Sequence, residues 1–494
     1  MDQLILNIQS FLTPGHLLTV VYILNSIIAL GLIFFDRKSS TATLGWIMIL
    51  FLLPVFGLIL YLVLSQNIAR YKIYKLNSRE NAENNLIMLN HKMDLDFDFA
   101  NTDNPVLQKW KNMISMNVDF ADSMLTYNDC VQLIFDGREM FEKLCQDIIN
   151  AKYTIKMEYY ILKDDFVGKK IISLLTEKAK QGVKVRLLLD AMGSRSVNES
   201  DFADFVAAGG EFTFFFKPRI RNLYINFNYR NHRKLVIIDN EIGYIGGFNI
   251  AKEYLGLKKK FGYWRDTQLI IKGNSLISLN ERFYLDWRYA SGDFSINTIE
   301  QSINYSYSED RGNIPIQIVN CGPESPKEEI KWAMMKMING AKKSIYIQTP
   351  YLVPDEPMIE SLAMAARSGI DVKIMIPCMP DHPFVYRTTL YNAGKLIDEG
   401  AKIYIYKNGF LHAKTLSVDG EVCTIGSSNF DIRSFRLNFE SNAFVYDSGT
   451  SYQLEKQFEL DMEKSTEYTV EDRANISKWE KFLESISRLL TEVL

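Results

Sequence analysis

No C-x-x-C pair occurs anywhere in the sequence. The five cysteines, Cys130, Cys145, Cys321, Cys378 and Cys423, are scattered and odd in number. Neither a zinc ligand set nor a disulfide framework is expected from that spacing, and reduced thiols are. Basic excess is also missing: Lys+Arg total 56 against Asp+Glu 59, for a formal charge of -3. Proteins that grip a nucleic-acid backbone ordinarily carry such an excess, so nucleic acid is not an expected partner. Histidine is scarce, with only 5 in 494 residues. Long disorder is excluded as well, since 47% of residues are hydrophobic and 23% charged.

Charge is absent from two stretches near the N-terminus. Leu17 to Phe35 is a run of 19 uncharged residues, and Thr43 to Leu64 a run of 22. At 1.5 Å per residue each is about 28–33 Å long, enough to cross a bilayer core. The polar turn Asp36-Arg37-Lys38-Ser39-Ser40 separates them. Residues 1–70 therefore read as a transmembrane hairpin, with spans at 17–35 and 43–64 and a kink expected at Pro54. A cleaved signal peptide fits less well, because no Lys or Arg precedes the first run and the run is too long. Arg70, Lys72, Lys75 and Arg79 follow the second run, against Arg37 and Lys38 in the turn. That asymmetry places the remainder of the chain in the cytoplasm.

Residues 71–110 read as a linker, rich in Asn and Asp between 77 and 104 and without a clear period. Helix and strand patterns alternate after it. The pattern predicts a strand over 153–161, an amphipathic helix over 167–180 that stops at Gly182, and a buried strand over 183–189. The same phrases recur. INAKYTIKMEYY at 149–160 is echoed by INGAKKSIYIQTPY at 338–351, and AKQGVKVRLLLD at 179–190 by ARSGIDVKIMIP at 366–377. A repeat of this length predicts two homologous α/β halves, 111–305 and 306–494, each a mixed sheet flanked by helices.

Two of the histidines open matching phrases. His232, Lys234 and Asp239 lead to Gly246-Gly247-Phe248-Asn249, and His412, Lys414 and Asp419 lead to Gly426-Ser427-Ser428-Asn429. Both read H-x-K-x4-D-x6-G-[GS]-x-N. Alternate residues of a strand share a face, so His and Lys project together. The small pair, Gly246-Gly247 or Gly426-Ser427, lets the backbone approach a ligand, and Asn249 or Asn429 offers an amide donor. A nucleophile or acid, a cation and a neutral donor around one point suit an anionic phosphoryl group. Two copies brought together by a pseudo-twofold axis give a nucleophile on one side and a proton donor on the other. Such a set requires neither metal nor cofactor.

These phrases resemble the HKD motifs of the phospholipase D superfamily. The resemblance covers roughly residues 110–494, and the hairpin is similar to the N-terminal anchor of bacterial cardiolipin synthases. It implies that His232 attacks phosphorus and that His412 protonates the departing alcohol and later acts as base. Lys234, Lys414, Asn249 and Asn429, with Gly247 and Ser427, would cradle the phosphate. Asp239 and Asp419 close the motif and are implied to brace the loop more than to react. A carboxylate downstream of each histidine is implied to orient it: Asp266 for the first, Glu440 for the second.

The implied activity is phosphatidyl transfer in a bacterial cell membrane. One phosphatidylglycerol is the donor and another the acceptor, giving cardiolipin and glycerol. A hydrolytic phospholipase D is the nearest alternative, and a membrane-tethered nuclease or an inactive lipid-binding scaffold are others. Basic and aromatic residues interleave from Lys217 to Phe227, a mix that suits a rim at lipid headgroups.

Overall fold

A computed structural model describes residues 14–34, 40–64, 78–217, 228–296, 312–325 and 327–491. The chain divides into two units, residues 1–69 with 488–494, and residues 70–487.

In the first unit the helix Pro14–Phe34 is long and apolar enough to cross a membrane. The second uncharged run differs from the single helix expected of it. It forms two helices, Ser40–Leu52 and Pro54–Leu64. Pro54 lacks an N–H, so the Leu50 carbonyl four residues earlier loses its helical partner. The Asn25 amide of the first helix donates to that carbonyl at 2.6 Å and to the Pro54 carbonyl at 3.2 Å. The break is a fold-back rather than a mild kink, because the rings of Trp46 and Tyr61 meet edge to face at 5.5 Å. In a continuous helix those residues would stand roughly 22 Å apart.

The second unit is α/β. Its first half contributes strands β1 (Leu125–Asp136), β2 (Thr154–Tyr159), β3 (Lys184–Asp190), β4 (Glu211–Phe215), β5 (Arg230–Asn231), β6 (Leu235–Ile238), β7 (Ile242–Gly246) and β8 (Trp264–Gly273). The next are β9 (Ile314–Cys321), β10 (Ser344–Gln348), β11 (Leu352–Val353), β12 (Asp371–Pro377), β13 (Lys402–Tyr406) and β14 (Phe410–Leu411). They are followed by β15 (Thr415–Val418), β16 (Val422–Gly426), β17 (Phe430–Asp431), β18 (Asn438–Val445) and β19 (Ser465–Tyr468).

The first sheet runs β4-β3-β2-β6-β7-β8-β1, parallel across β4-β3-β2 and antiparallel beyond. The second runs β13-β12-β10-β15-β16-β18-β9 with the same pattern of directions. Antiparallel pairing of β1 with β9, Leu125 opposite Gln317, joins the two edges. Equivalent edges meeting in opposite directions are what a pseudo-twofold axis requires.

Local chemistry explains the repeat. Helix Phe166–Lys180 starts where the Asp165 carboxylate accepts from the N–H groups of Val167 and Gly168. It ends at Gly182, with φ 88°, and Gly369 takes φ 87° at the matching place in the second half. The strands that follow are buried on both faces, so they read as continuous apolar runs. Each half has its own core, one around Ile155, Leu187 and Val236, the other around Ile345, Ile374 and Leu416.

The linker expected over 71–110 is corrected where the structure describes it. Residues Ser78–Asn101 form a helix. Its order comes from tertiary anchors that leave no amphipathic period. Glu80 pairs with Arg288 at 2.7 Å, His91 accepts from the Leu125 N–H at 2.9 Å, and Leu95 is buried in the second core. The boundary expected at 305/306 lies outside the described residues.

Candidate active site

The two motif histidines sit at strand junctions. His232, Arg233 and Lys234 link β5 to β6, and His412, Ala413 and Lys414 link β14 to β15. The expectation that His and Lys ride within a strand is corrected to this extent. They still share a side, because the ammonium of Lys234 donates to the His232 carbonyl and that of Lys414 to the His412 carbonyl.

Each junction is held by the other half. β5 pairs in parallel with β18, and the His232 N–H donates to the Phe439 carbonyl at 2.9 Å. β14 pairs in parallel with β8, and the His412 N–H donates to the Arg265 carbonyl at 2.7 Å. The next residue on each supporting strand is a carboxylate. His232 Nδ1 lies 2.9 Å from both oxygens of Glu440, and His412 Nδ1 lies 2.6 Å from Asp266 Oδ2. The assignment of Asp266 to His232 and of Glu440 to His412 is therefore corrected: the partners are exchanged. The cause is geometric. In each half the carboxylate-bearing strand pairs with the strand just before the opposite histidine.

Donation from Nδ1–H to a carboxylate leaves the lone pair on Nε2. Burial draws His232 below its ordinary value; Glu440 opposes this, and Lys234 and Lys414 add to it. Burial and then Lys414 take His412 down to about 4. Burial likewise lowers Lys234 to about 7 and Lys414 to about 8. Burial pushes Asp266 and Glu440 upward, but the lysines, the histidines and the hydrogen bonds together carry both below their usual range. The charge of each lysine acts on both histidines, which places the two motifs around one centre. Both histidines keep 8% exposure in a dense surround, so the centre is lined by protein yet open. Tyr160 packs against His232 at 4.8 Å, and Trp264 and Tyr254 against His412 at 5.2 and 6.0 Å.

The residues expected to cradle a ligand have differing surroundings. Gly247 serves the carboxylate: a Cβ there would fall 2.0 Å from Asp266 Oδ1. Ser427, its counterpart, accepts from the Ser441 N–H at 3.0 Å. Asn249 Oδ1 accepts from the Ile161 N–H at 3.0 Å, and its amide donates to the Tyr254 hydroxyl. Asn429 Oδ1 is buried with no hydrogen-bond partner among the described residues.

Asp239 and Asp419, grouped by sequence with the catalytic residues, stand elsewhere. Asp239 follows β6 at the end away from Lys234, up to roughly 23 Å along the chain from His232 at 3.3 Å per residue. Its carboxylate accepts from the N–H groups of Lys152, Tyr153 and Thr154 at 2.7–2.8 Å. Asp419 accepts from Lys342, Lys343 and Ser344 in the same way, and also from the Lys109 ammonium at 2.7 Å. Both have positive φ, 52° and 58°, at the tip of a hairpin. They pin the start of β2 and β10 and do not reach the histidines.

In the buried polar layer beneath the histidines, Asp286, Gln348 and Asp461 were not singled out from the sequence. Arg233 donates to Asp286 at 2.8 Å and to the Ser441 hydroxyl at 3.0 Å, and Arg265 donates to Asp461 at 2.7 Å. Glu158 Oε1 accepts from the Asn231 amide at 2.5 Å, and burial with the nearby Asp286 charge raises its carboxyl well above the usual range. At the matching place Gln348 donates to Asp461 at 2.9 Å. The signal was present: Phe283-Tyr284-Leu285-Asp286 and Phe458-Glu459-Leu460-Asp461 repeat as F-x-L-D. The basic-aromatic stretch between 218 and 227 lies outside the described residues.

A family model described as "Cardiolipin synthase, PLD-like domain" matches residues 144–282 and 334–462. A second, "Phospholipase_D-nuclease N-terminal", matches residues 23–66. Among curated relatives, a "Cardiolipin synthase" of Listeria monocytogenes serotype 4a is 43% identical, over 97% of this chain and 99% of its own. "Major cardiolipin synthase ClsA" of Bacillus subtilis is 42% identical with the same coverage. Among solved structures, the phosphatidylserine synthase of Haemophilus influenzae aligns with a TM-score of 0.60 at 14% identity, covering 78% of this chain and all of that one. That likeness shows a shared fold.

Proposed function

Because the chain belongs to the cardiolipin synthase family of phospholipase D-like phosphatidyltransferases, we propose that it joins two phosphatidylglycerol molecules into cardiolipin through a phosphohistidine. The observation that carries this reading is the pair of buried histidines, each with its own carboxylate, under the charge of both lysines.

In the proposed first step the Nε2 lone pair of His232 attacks the phosphorus of the donor lipid. A P–N bond forms, the P–O bond to glycerol breaks, and His412 gives the leaving oxygen its proton. In the second step a glycerol hydroxyl of the acceptor lipid attacks the same phosphorus. His412 takes that proton, the P–N bond breaks, and His232 returns to its starting state. One phosphodiester replaces another, so the exchange needs no nucleotide.

Lys234 and Lys414 neutralise the non-bridging oxygens. Their charge does a second thing in this scheme. An anion bound between them raises the pKa values of the surrounding bases. His412, neutral near pH 7 without substrate, thereby takes up the proton that the leaving glycerol needs. Glu440 and Asp266 hold the two rings in one tautomer and stabilise the imidazolium. Asn429, buried with an unpartnered carbonyl oxygen, is a candidate to bind a hydroxyl of the glycerol moiety. Asn249, held by Tyr254, contributes its remaining amide hydrogen to the phosphate.

We take the two halves as 111–305 and 306–494, and the catalytic unit as cytoplasmic, on the basic residues Arg70, Lys72, Lys75 and Arg79. The apolar N-terminal helix supports membrane association. Product analysis with labelled phosphatidylglycerol tests the activity. Cardiolipin and free glycerol in equal amounts are expected; phosphatidic acid without cardiolipin would mean that water is the acceptor.

A further inference from the structure

Helix Lys478–Thr491 turns its apolar side outward. Trp479, Phe482 and Ile486 are 64%, 52% and 38% exposed, whereas Glu484 is only 7% exposed. At 100° per residue the three apolar positions fall within one narrow arc. The rings of Trp479 and Phe482 stack at 5.4 Å. On a water-facing surface the ordinary arrangement is the reverse, with glutamate outside and tryptophan inside.

The charges on this helix are sorted as well. Glu480 is half-exposed and accepts from Arg387 at 3.3 Å. Glu484 lies in the field of Arg473, Lys481 and Arg387. Lys478 and Lys481 remain exposed, on the flank of the aromatic arc. The outward arc is thus aromatic with exposed lysines beside it, Glu484 is buried, and Glu480 is paired with Arg387.

The neighbouring helix Pro383–Asp398 extends this surface toward the site. Phe384, one turn before Arg387, is 56% exposed. Just ahead of that helix, Asp381 accepts from the Tyr351 hydroxyl, and its charge reaches Lys414. One helix therefore links the edge of the active site to the exposed aromatic arc.

We propose that Trp479, Phe482, Ile486 and Phe384 form an interfacial surface that seats the catalytic unit on an anionic phospholipid bilayer, beside the entrance used by substrate. Aromatic rings and aliphatic chains enter the headgroup boundary while Lys478 and Lys481 meet lipid phosphates. A second copy of the chain is a poorer occupant, since it would take the exposed Lys478 and Lys481 out of water.

The proposal rests on the substrate being a membrane phospholipid. Its test is full-length protein in phosphatidylglycerol/phosphatidylethanolamine vesicles whose acyl chains carry bromine, comparing wild type with Trp479→Phe. The emission lost in the variant is expected to be quenched by brominated chains and protected from aqueous iodide. Emission that iodide quenches and bromine does not, or that neither reaches, overturns the proposal. A second arm measures turnover of Phe482→Ser/Ile486→Ser. Turnover is expected to fall about tenfold or more on vesicle lipid, as loss of one buried side chain's transfer energy implies, with little change on short-chain lipid dispersed in detergent. Equal loss on both substrates also overturns it. Quenching reads position without turnover, so an inactive protein with a bromine-quenched Trp479 would count against the synthase reading alone.

Discussion

Glu440 holds Nδ1 of His232 at 2.9 Å although 208 residues separate the two. The same exchange links Asp266 to His412 across 146 residues. Neither half contains a complete histidine–carboxylate pair, so each catalytic ring depends on the fold of the other half. Two independent half-sites could not arise from this connectivity.

The exchange dictates how carboxylate variants behave. With a donor lipid bearing a nitrophenyl leaving group, departure needs no acid. Glu440→Gln should then slow formation of the phosphohistidine by about a hundredfold or more, the range for a lost orienting carboxylate. Asp266→Asn should leave adduct formation largely intact and slow its transfer to the acceptor, so that adduct accumulates. Rapid-quench trapping of labelled protein distinguishes the two. The opposite pattern would mean that His412 is the nucleophile.

Asp239 tests the separation of motif from chemistry. Its carboxylate accepts three backbone N–H groups far from His232. Asp239→Ala should cost about 2 kcal/mol of stability, the range for charged hydrogen bonds left unmade. The folded fraction should keep turnover within about threefold of wild type, since nothing touching substrate has changed. Thermal inactivation and active-site titration read the two quantities separately. Total loss of turnover in well-folded protein would return Asp239 to the catalytic group.

Much of this was legible in the sequence, and the limits have physical causes. The duplicated H-x-K phrases and the repeated strand-helix-strand text specify the two sheets, because buried parallel strands and glycine stops are local signals. The pairing of Asp266 with His412 is not local. It depends on β14 lying beside β8, a non-local register that only the fold supplies. The helix at 78–101 was missed because its anchors, Glu80 to Arg288 and His91 to Leu125, are tertiary. The break at Pro54 was visible, but its depth was not, since Asn25 on another helix satisfies the carbonyl it frees.

The pH dependence follows from the buried cations. His412 at about 4, and His232 below its ordinary value, are both neutral near pH 7. Lys234 at about 7 and Lys414 at about 8 lose their charge just above it. The ratio kcat/KM, which reports the free enzyme, should therefore fall with pH above about 4, where His412 must gain its proton on binding, and more steeply through 7 to 8, where the lysines also lose charge. A bound phosphodiester holds the lysines protonated, so the alkaline limb of kcat should lie at higher pH. Substrate binding near neutrality should take up protons, measurable as a buffer-dependent heat with a non-reacting lipid analogue. Coincident alkaline limbs for kcat and kcat/KM would contradict this.

Charge neutralisation by lysine makes a chelation prediction. If Lys234 and Lys414 carry the phosphate charge, EDTA should change turnover by less than about twofold, while Lys234→Met should lower it by about a hundredfold or more. Both are read from cardiolipin formation in mixed micelles. Loss of activity on chelation, restored by a divalent cation, would assign that charge to a metal.

Glu158 offers a prediction with the opposite sign from an ordinary carboxylate. Buried beside Asp286, it holds its proton in the folded state well above the usual range. The unfolded chain releases that proton near its ordinary value of about 4.5. Between those values the native state binds the extra proton, so wild-type stability falls as pH rises. Glu158→Gln removes this term. The replacement Oε1 still accepts from Asn231, and its amide can donate to Asp286 as Gln348 donates to Asp461 in the other half. The variant should gain stability over wild type as pH increases from 5 toward 8, with turnover preserved, measured by thermal inactivation across that range. Glu158→Asp, too short to reach Asn231, should lose stability throughout. A Glu158→Gln variant less stable than wild type at pH 8 would mean that the carboxylate, not the acid, is the native form.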